Sequence, residues 1–208
     1  NYVNIENNII KNNDSTSTSS NSRLVLIDNN MGEDLTFLQN IFFKGSYGIY
    51  LNGSSSSYDK NVVIKRNVFS RQNYYPLALY RIDKLILAEN NISSIGNNNY
   101  YGVEIYSLKN ASSVSGNKII VNGNNANYGL YIYDFPSSST DSLYIYNNFI
   151  SIKGNQDGNG FYGESLYKTN FYYNNILNEC TDSSYSSAAF YNYSSNIRVF
   201  NNNFIHNF

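Results

Sequence analysis

Tryptophan is absent from the 208 residues, cysteine, methionine and histidine occur once each, and proline only twice. The single Cys180 rules out an internal disulfide framework and is expected as a small, partly buried side chain. The lone His206, near the end of the chain, excludes a histidine metal cluster and a nucleophile–histidine relay, and is expected to face solvent. Charge is scarce as well: 14 Lys and Arg against 15 Asp and Glu leave a formal net charge of -1. The cations are scattered and form no stripe that would neutralise a phosphate backbone, which argues against nucleic acid as a partner. No polybasic patch and no apolar run of about 18 residues occur, so membrane insertion through a helix is not expected. Asn1 begins inside a patterned strand, with no initiator Met and no signal-like segment. The chain is therefore expected to be a mature or excised piece of a longer protein, forming one domain over residues 1–208.

What is abundant is asparagine, at 39 residues, and serine, at 29, about a third of the chain together. Such a bias resembles disorder, but disordered segments are poor in aromatic and β-branched residues, and here 22 Tyr and 12 Phe are interleaved with Ile, Val and Leu. That content favours strands around a core. A fixed template recurs through the chain: apolar, any, apolar, any, any, Asn, any, apolar. Its eight copies are Val3/Ile5/Asn8/Ile10, Leu35/Phe37/Asn40/Phe42, Val62/Ile64/Asn67/Phe69, Leu85/Leu87/Asn90/Ile92, Ser112/Val114/Asn117/Ile119, Leu143/Ile145/Asn148/Ile150, Thr169/Phe171/Asn174/Ile176 and Ile197/Val199/Asn202/Phe204. Successive asparagines lie 32, 27, 23, 27, 31, 26 and 28 residues apart, so a fixed inner strand alternates with a connection of variable length. A second alternating strand follows in most units, usually announced by glycine, as in Gly48-Ile49-Tyr50-Leu51, Gly102-Val103-Glu104-Ile105, Gly129-Leu130-Tyr131-Ile132 and Gly160-Phe161-Tyr162-Gly163. The Ser/Asn/Gly tracts at 14–22, 53–58, 96–99, 122–127, 136–142, 154–159 and 182–187 have the composition of loops.

These features predict an all-β, right-handed parallel β-helix solenoid of about eight coils. A bend after each first strand calls for a left-handed residue, and Asn tolerates that conformation best after Gly. Stacked about 4.8 Å apart, the side chains of Asn8, Asn40, Asn67, Asn90, Asn117, Asn148, Asn174 and Asn202 would form a hydrogen-bonded ladder inside the solenoid. Leucine-rich repeats share the inner motif, but they add an apolar residue three positions before the first strand residue. This chain has Gly32, Asp59, Ile82, Lys109, Thr140, Leu166 and Ser194 there, of which only Ile82 and Leu166 fit.

On these strand motifs and the Tyr-Gly-apolar second strands, the whole chain resembles the right-handed parallel β-helix repeat regions, pectin-lyase-like in fold, of large secreted or cell-surface bacterial proteins, many exported by the type IX system. The resemblance implies an extracellular or bacterial cell-surface location and says little about activity, since that fold hosts polysaccharide lyases, glycoside hydrolases, tailspikes and adhesins alike. The family's enzymes gather carboxylates, or Ca²⁺ with a basic residue, on one outer face. The expected outward rows are Asn4, Thr36, Val63, Ile86, Ser113, Tyr144, Asn170 and Arg198, then Glu6, Leu38, Lys65, Ala88, Ser115, Tyr146, Tyr172 and Phe200 on the first strands. On the second strands they are Val25, Tyr50, Ala78, Glu104, Tyr131, Tyr162 and Phe190, then Ile27, Asn52, Tyr80, Tyr106, Tyr133, Glu164 and Asn192. Glu6 and Lys65 have no expected partner. Glu104 and Glu164 are the candidate catalytic carboxylates, about 10–12 Å apart at strand spacing, against the roughly 6.5–9.5 Å of an inverting pair. Asp157, in an oxygen-rich loop, is the one candidate for Ca²⁺, and no other cofactor or metal is expected.

The aromatic positions Tyr80, Tyr106, Tyr131, Tyr133, Tyr162, Tyr144, Tyr146 and Tyr172 form the expected binding face, which equally reads as a set of strand-stabilising ladders. The expectation is thus a non-catalytic β-helix module, or a stalk, contacting a polysaccharide or cell-surface glycan, more a binding or structural element than an enzyme. The alternative is a segment of a polysaccharide-active lyase or hydrolase. Uncapped end coils would need flanking domains or protein partners.

Overall fold

The template repeats because each coil must present the same inward residues to the coils above and below. A computed structural model describes residues 2–13, 22–28, 32–96, 100–124, 127–181 and 187–207, with side chains at 95, 96 and 100 not described. Every strand pairing among them is parallel, and the stacking is coil on coil. Three rows of strands run along the resulting solenoid. The first row holds the template strands, from Val3–Glu6 and Leu35–Leu38 to Thr169–Tyr172 and Ile197–Phe200. The second row is an eight-stranded sheet of the segments just after each ladder asparagine, from Ile9–Lys11 to Asn203–His206. The third row runs from Arg23–Asp28 and Tyr47–Asn52 to Gly158–Leu166 and Ala188–Tyr193. First and third rows merge into a 14-stranded sheet through the bent strand Tyr75–Ala88. The expected parallel β-solenoid is present. About six turns, the second to the seventh, have a neighbour on both sides in the first two rows, and the first and eighth rungs are paired on one side only. The tracts at 14–22, 96–99, 122–127 and 182–187 lie wholly or partly outside the described residues.

The ladder is continuous. From Asn8 to Asn174, each backbone N–H donates to the Oδ1 of the next asparagine at 2.8–3.0 Å. Each Nδ2 donates to the same Oδ1 at 2.9–3.3 Å. From Asn40 onward the Nδ2 also donates backward, to a backbone carbonyl of the preceding coil, as Asn117 does to Leu87 at 2.9 Å. The six asparagines from Asn40 to Asn174 are buried, whereas Asn8 is exposed and Asn202 half-buried. Buried amides are tolerated only when satisfied, and here both ends of each carboxamide are.

One part of the ladder expectation is corrected. The left-handed residue is not the ladder asparagine but the one before it: Asn7, Gln39, Arg66, Glu89, Gly116, Asn147, Tyr173 and Asn201 all have φ between 54° and 63°. These residues are exposed, so their side chains point away from the bend, and arginine, glutamate and tyrosine are accepted there as well as asparagine. The ladder position requires Asn because of hydrogen bonding, not because of backbone strain.

The core is a set of stacked apolar columns, such as Phe37, Ile64, Leu87, Val114, Ile145 and Phe171, all with zero exposure. Phe42 and Phe69 stack at 4.7 Å in the second row. Two template copies place Ser112 and Thr169 at an apolar position, and both hydroxyls are satisfied: Ser112 donates to the Lys109 carbonyl and accepts from the Leu85 N–H, each at 3.1 Å, and Thr169 donates to the Tyr167 carbonyl. Cys180 is fully rather than partly buried, and burial pushes its thiol up to about 11, against the pull of a hydrogen bond with Asn127. His206 is half-buried, in register with Asn178, not solvent-facing as expected. Among the described residues no helix is long and apolar enough to cross a membrane.

Candidate functional site

Tyrosine recurs on the outer side of the third row, where outward positions alternate with inward ones that are mostly apolar. Three outward columns result. Tyr47, Tyr75, Tyr101 and Tyr128 form the first, with successive ring centroids 5.2, 5.1 and 4.8 Å apart. The middle column runs Leu26, Tyr50, Ala78, Glu104, Tyr131, Tyr162 and Tyr191. The third runs Asp28, Asn52, Tyr80, Tyr106, Tyr133, Glu164 and Tyr193. Rings of the first column meet those of the middle one edge-on, as Tyr101 meets Tyr131 at 5.3 Å and 86°. Within this layer Tyr47, Tyr75 and Ala78 are buried, packed against Tyr50, Tyr74, Tyr80 and Tyr101, so the face has a small apolar cluster of its own, outside the solenoid core.

The stacking decides what the face offers. Tyr106 and Tyr133 lie 4.6 Å apart at 14°, and Tyr131 and Tyr162 lie 4.8 Å apart at 12°. Ring faces are therefore occupied by one another, and solvent meets ring edges and hydroxyls. Burial raises the phenols of Tyr47 and Tyr162 to about 12 and pushes those of Tyr75, Tyr80, Tyr101 and Tyr131 upward too. All remain protonated donors at neutral pH. At the first-coil end the Arg23 guanidinium lies 4.1 Å from the Tyr50 ring centroid and 5.3 Å from that of Tyr47, so the same surface also holds a cation.

Glu104 interrupts the middle column. The Tyr80 hydroxyl donates to its Oε2, and Tyr131 stands beside it on the next coil. Burial among the rings raises its carboxyl above the ordinary value, against the opposing pull of the Tyr80 hydrogen bond. Glu164 accepts instead from Tyr162, at 3.0 Å. The two candidate carboxylates thus engage different tyrosines and share no hydrogen bond among the described residues.

Because the folded carboxyl of Glu104 holds its proton more tightly than the unfolded one, folding is favoured at low pH and loses stability as pH rises from the ordinary 4.5 through the raised value. Glu104→Gln is therefore expected to match the wild type in urea unfolding near pH 4.5 and to exceed it at neutral pH. A difference between the two that stays constant with pH would contradict this placement of the carboxyl.

The remaining sequence candidates fall as follows. Tyr80, Tyr106, Tyr131, Tyr133 and Tyr162 share the third-row face. Tyr144, Tyr146 and Tyr172 lie on the first row instead, where Tyr146, Tyr172 and Phe200 stack at 5.2 and 5.0 Å with planes within 3°. Asp157 lies just before Gly158–Leu166, and its carbonyl accepts from the Asn127 N–H at 3.0 Å. No group of three acidic, histidine or cysteine side chains among the described residues is placed to hold a metal.

Two expectations are corrected. Val25, Ile27, Phe190 and Asn192 fall in the inward register, and Leu26, Asp28, Tyr191 and Tyr193 face outward in their place. Lys65 does have a partner, Glu89, at 3.1 Å, and Arg66 binds the same carboxylate at 2.6 Å. Glu89 escaped notice because it sits at the bend, outside the alternating strand. The first tyrosine column was also missed. Its signal was the residue preceding each glycine, as in Tyr47-Gly48, Tyr101-Gly102 and Tyr128-Gly129, where the two-residue alternation breaks and the glycine itself turns inward.

No family model, curated protein or solved structure matches this chain. Fold and surface chemistry alone bear on its role.

Proposed function

We propose that this chain is a non-catalytic β-helix module, pectin-lyase-like in architecture, from a large bacterial protein secreted or displayed at the cell surface, with type IX export as the route the resemblance suggests. It contacts polysaccharide or cell-surface glycan through the third-row face and acts as a stalk along its length. The observation that carries the proposal is the array of protonated tyrosine hydroxyls around Glu104, with no second carboxylate joined to it among the described residues. Hydroxyl edges over an apolar layer suit the mixed polar and CH surface of sugars. Inward-register apolar residues exposed on the last rung, Val199 at 44% and Phe204 at 40%, support a flanking domain or protein partner there.

The test is a glycan array followed by calorimetry on the strongest ligand. Tyr106 is 41% exposed and stacks on Tyr133, so Tyr106→Ala and Tyr133→Ala are each expected to weaken binding roughly tenfold or more. Absence of any retained glycan, or retention unaffected by both substitutions, would refute the proposal.

One observation favours a second reading, a polysaccharide-active enzyme. The raised carboxyl of Glu104 with a donating tyrosine beside it has the character of a general acid. Release of reducing or unsaturated sugar ends, abolished by Glu104→Gln, would establish that reading over the first.

A further inference from the structure

Away from the tyrosine face, the outer side of the first row carries a second arrangement on its last three coils. Tyr144, Asn170 and Arg198 stack in one outward column beside the parallel rings of Tyr146, Tyr172 and Phe200. At the corner leading into that column lies a cleft of about 210 Å³, lined by Ser142, Lys168, Thr169, Asn170, Asn196 and Arg198. Two of these are cations, and no acid lines the cleft among the described residues. The ion pairs among the described residues involve Glu33 and Glu89, on distant coils, so neither Lys168 nor Arg198 is neutralised by one. The Lys168 ammonium donates one hydrogen bond to the Ser139 carbonyl at 2.6 Å and has two further N–H donors. Asp141, beside Ser142 in the chain, accepts from the Thr140 hydroxyl at 3.0 Å.

We infer that this cleft binds the sulfate or phosphate ester group of a saccharide; the carrier being a saccharide rests on the function proposed above. A tetrahedral ester has several free oxygens pointing apart. A guanidinium fork takes two of them, an ammonium takes another, and the amides of Asn170 and Asn196 complete the donor set. The flanking rings of Tyr146 and Tyr172 place an apolar edge where the sugar carrying the ester would lie. With a net charge of only -1 the chain has no long-range field for anions, so the attraction is local and screened by salt.

The test titrates the intact chain calorimetrically with a sulfated disaccharide, a phosphorylated disaccharide and the neutral parent of each, at low and high salt. At least one ester is expected to bind roughly tenfold or more tightly than its parent, with the preference fading in high salt. Which ester is preferred distinguishes the two sources. Lys168→Gln combined with Arg198→Gln is expected to erase the preference and leave binding of the neutral parents unchanged. Lys168 has φ 48°, and Gln39 holds 56° elsewhere in the chain, so glutamine is compatible with that backbone; an unchanged urea midpoint checks the fold. Esters that bind no better than their parents, or a preference that survives the double substitution, would overturn the inference. Tyr106→Ala and Tyr133→Ala separate the two readings. Parent binding insensitive to them fails the tyrosine face alone, and a missing ester preference with parent binding intact fails the cleft alone.

Discussion

Asn117→Ala is expected to lower the free energy of unfolding by roughly 3–5 kcal/mol, whereas Asn202→Ala costs only about 1 kcal/mol. Both side chains make four hydrogen bonds. Asn117 Nδ2 donates to the Leu87 carbonyl and to Asn148 Oδ1, and its Oδ1 accepts from the backbone and side chain of Asn90, all at 2.9–3.0 Å. Alanine would leave the Asn90 N–H buried and unpaired and would strip the Asn90 side-chain amide of one acceptor, with no route for water. Asn202 Nδ2 donates to the carbonyls of Phe171 and Phe200, and its Oδ1 accepts from Asn174, yet the residue is half-buried on the last rung. Water can replace the lost partners there. Urea unfolding of the two variants measures the contrast. Equal losses would mean that the ladder's burial contributes nothing.

Gly129→Ala is expected to cost about 3 kcal/mol through overpacking. A Cβ at this position would stand 2.3 Å from Ile150 Cγ2 and 2.5 Å from the Gly160 carbonyl oxygen, and a backbone carbonyl within a stacked sheet cannot give way. The same column continues in Gly102 and Gly160, each with a neighbouring coil's carbonyl 2.7 Å from the site a Cβ would take. None of the three has a positive φ, so glycine is required here by closeness of approach. Gly116 is the opposite case: its φ is 63° but a Cβ would meet nothing nearer than 3.6 Å. Gly116→Ala should cost only about 1 kcal/mol, in keeping with the ordinary residues that hold the equivalent bends on other coils. Pairing Gly129→Ala with Ile150→Ala relieves one of the two clashes, so the combined loss should fall short of the sum. Strict additivity would show that Ile150 is not the obstacle.

These two substitutions also mark where the sequence was legible. The first row could be read almost completely, since two inward apolar residues and an asparagine leave a single parity, and every outward residue from Asn4 to Arg198 falls where the pattern puts it. The third row could be read only where glycine fixed its start. Leu24-Val25-Leu26-Ile27 is apolar at every position, so either parity satisfies the alternation, and the register slipped by one there and again at Phe190-Tyr191. The left-handed residue was misplaced because asparagine suits both a bend and a ladder, and composition cannot tell which demand it serves. Tyrosines were visible as a face, but their mutual stacking, which turns edges rather than ring faces to solvent, depends on side-chain torsions that no spacing encodes.

The stacked ladder is tested most directly by hydrogen exchange of the asparagine side-chain amides in nitrogen-15 spectra. Amide groups of Asn40, Asn67, Asn90, Asn117, Asn148 and Asn174, sealed between coils, should exchange far more slowly than those of Asn8 and Asn202. Uniformly fast exchange across all eight would contradict a continuous buried ladder.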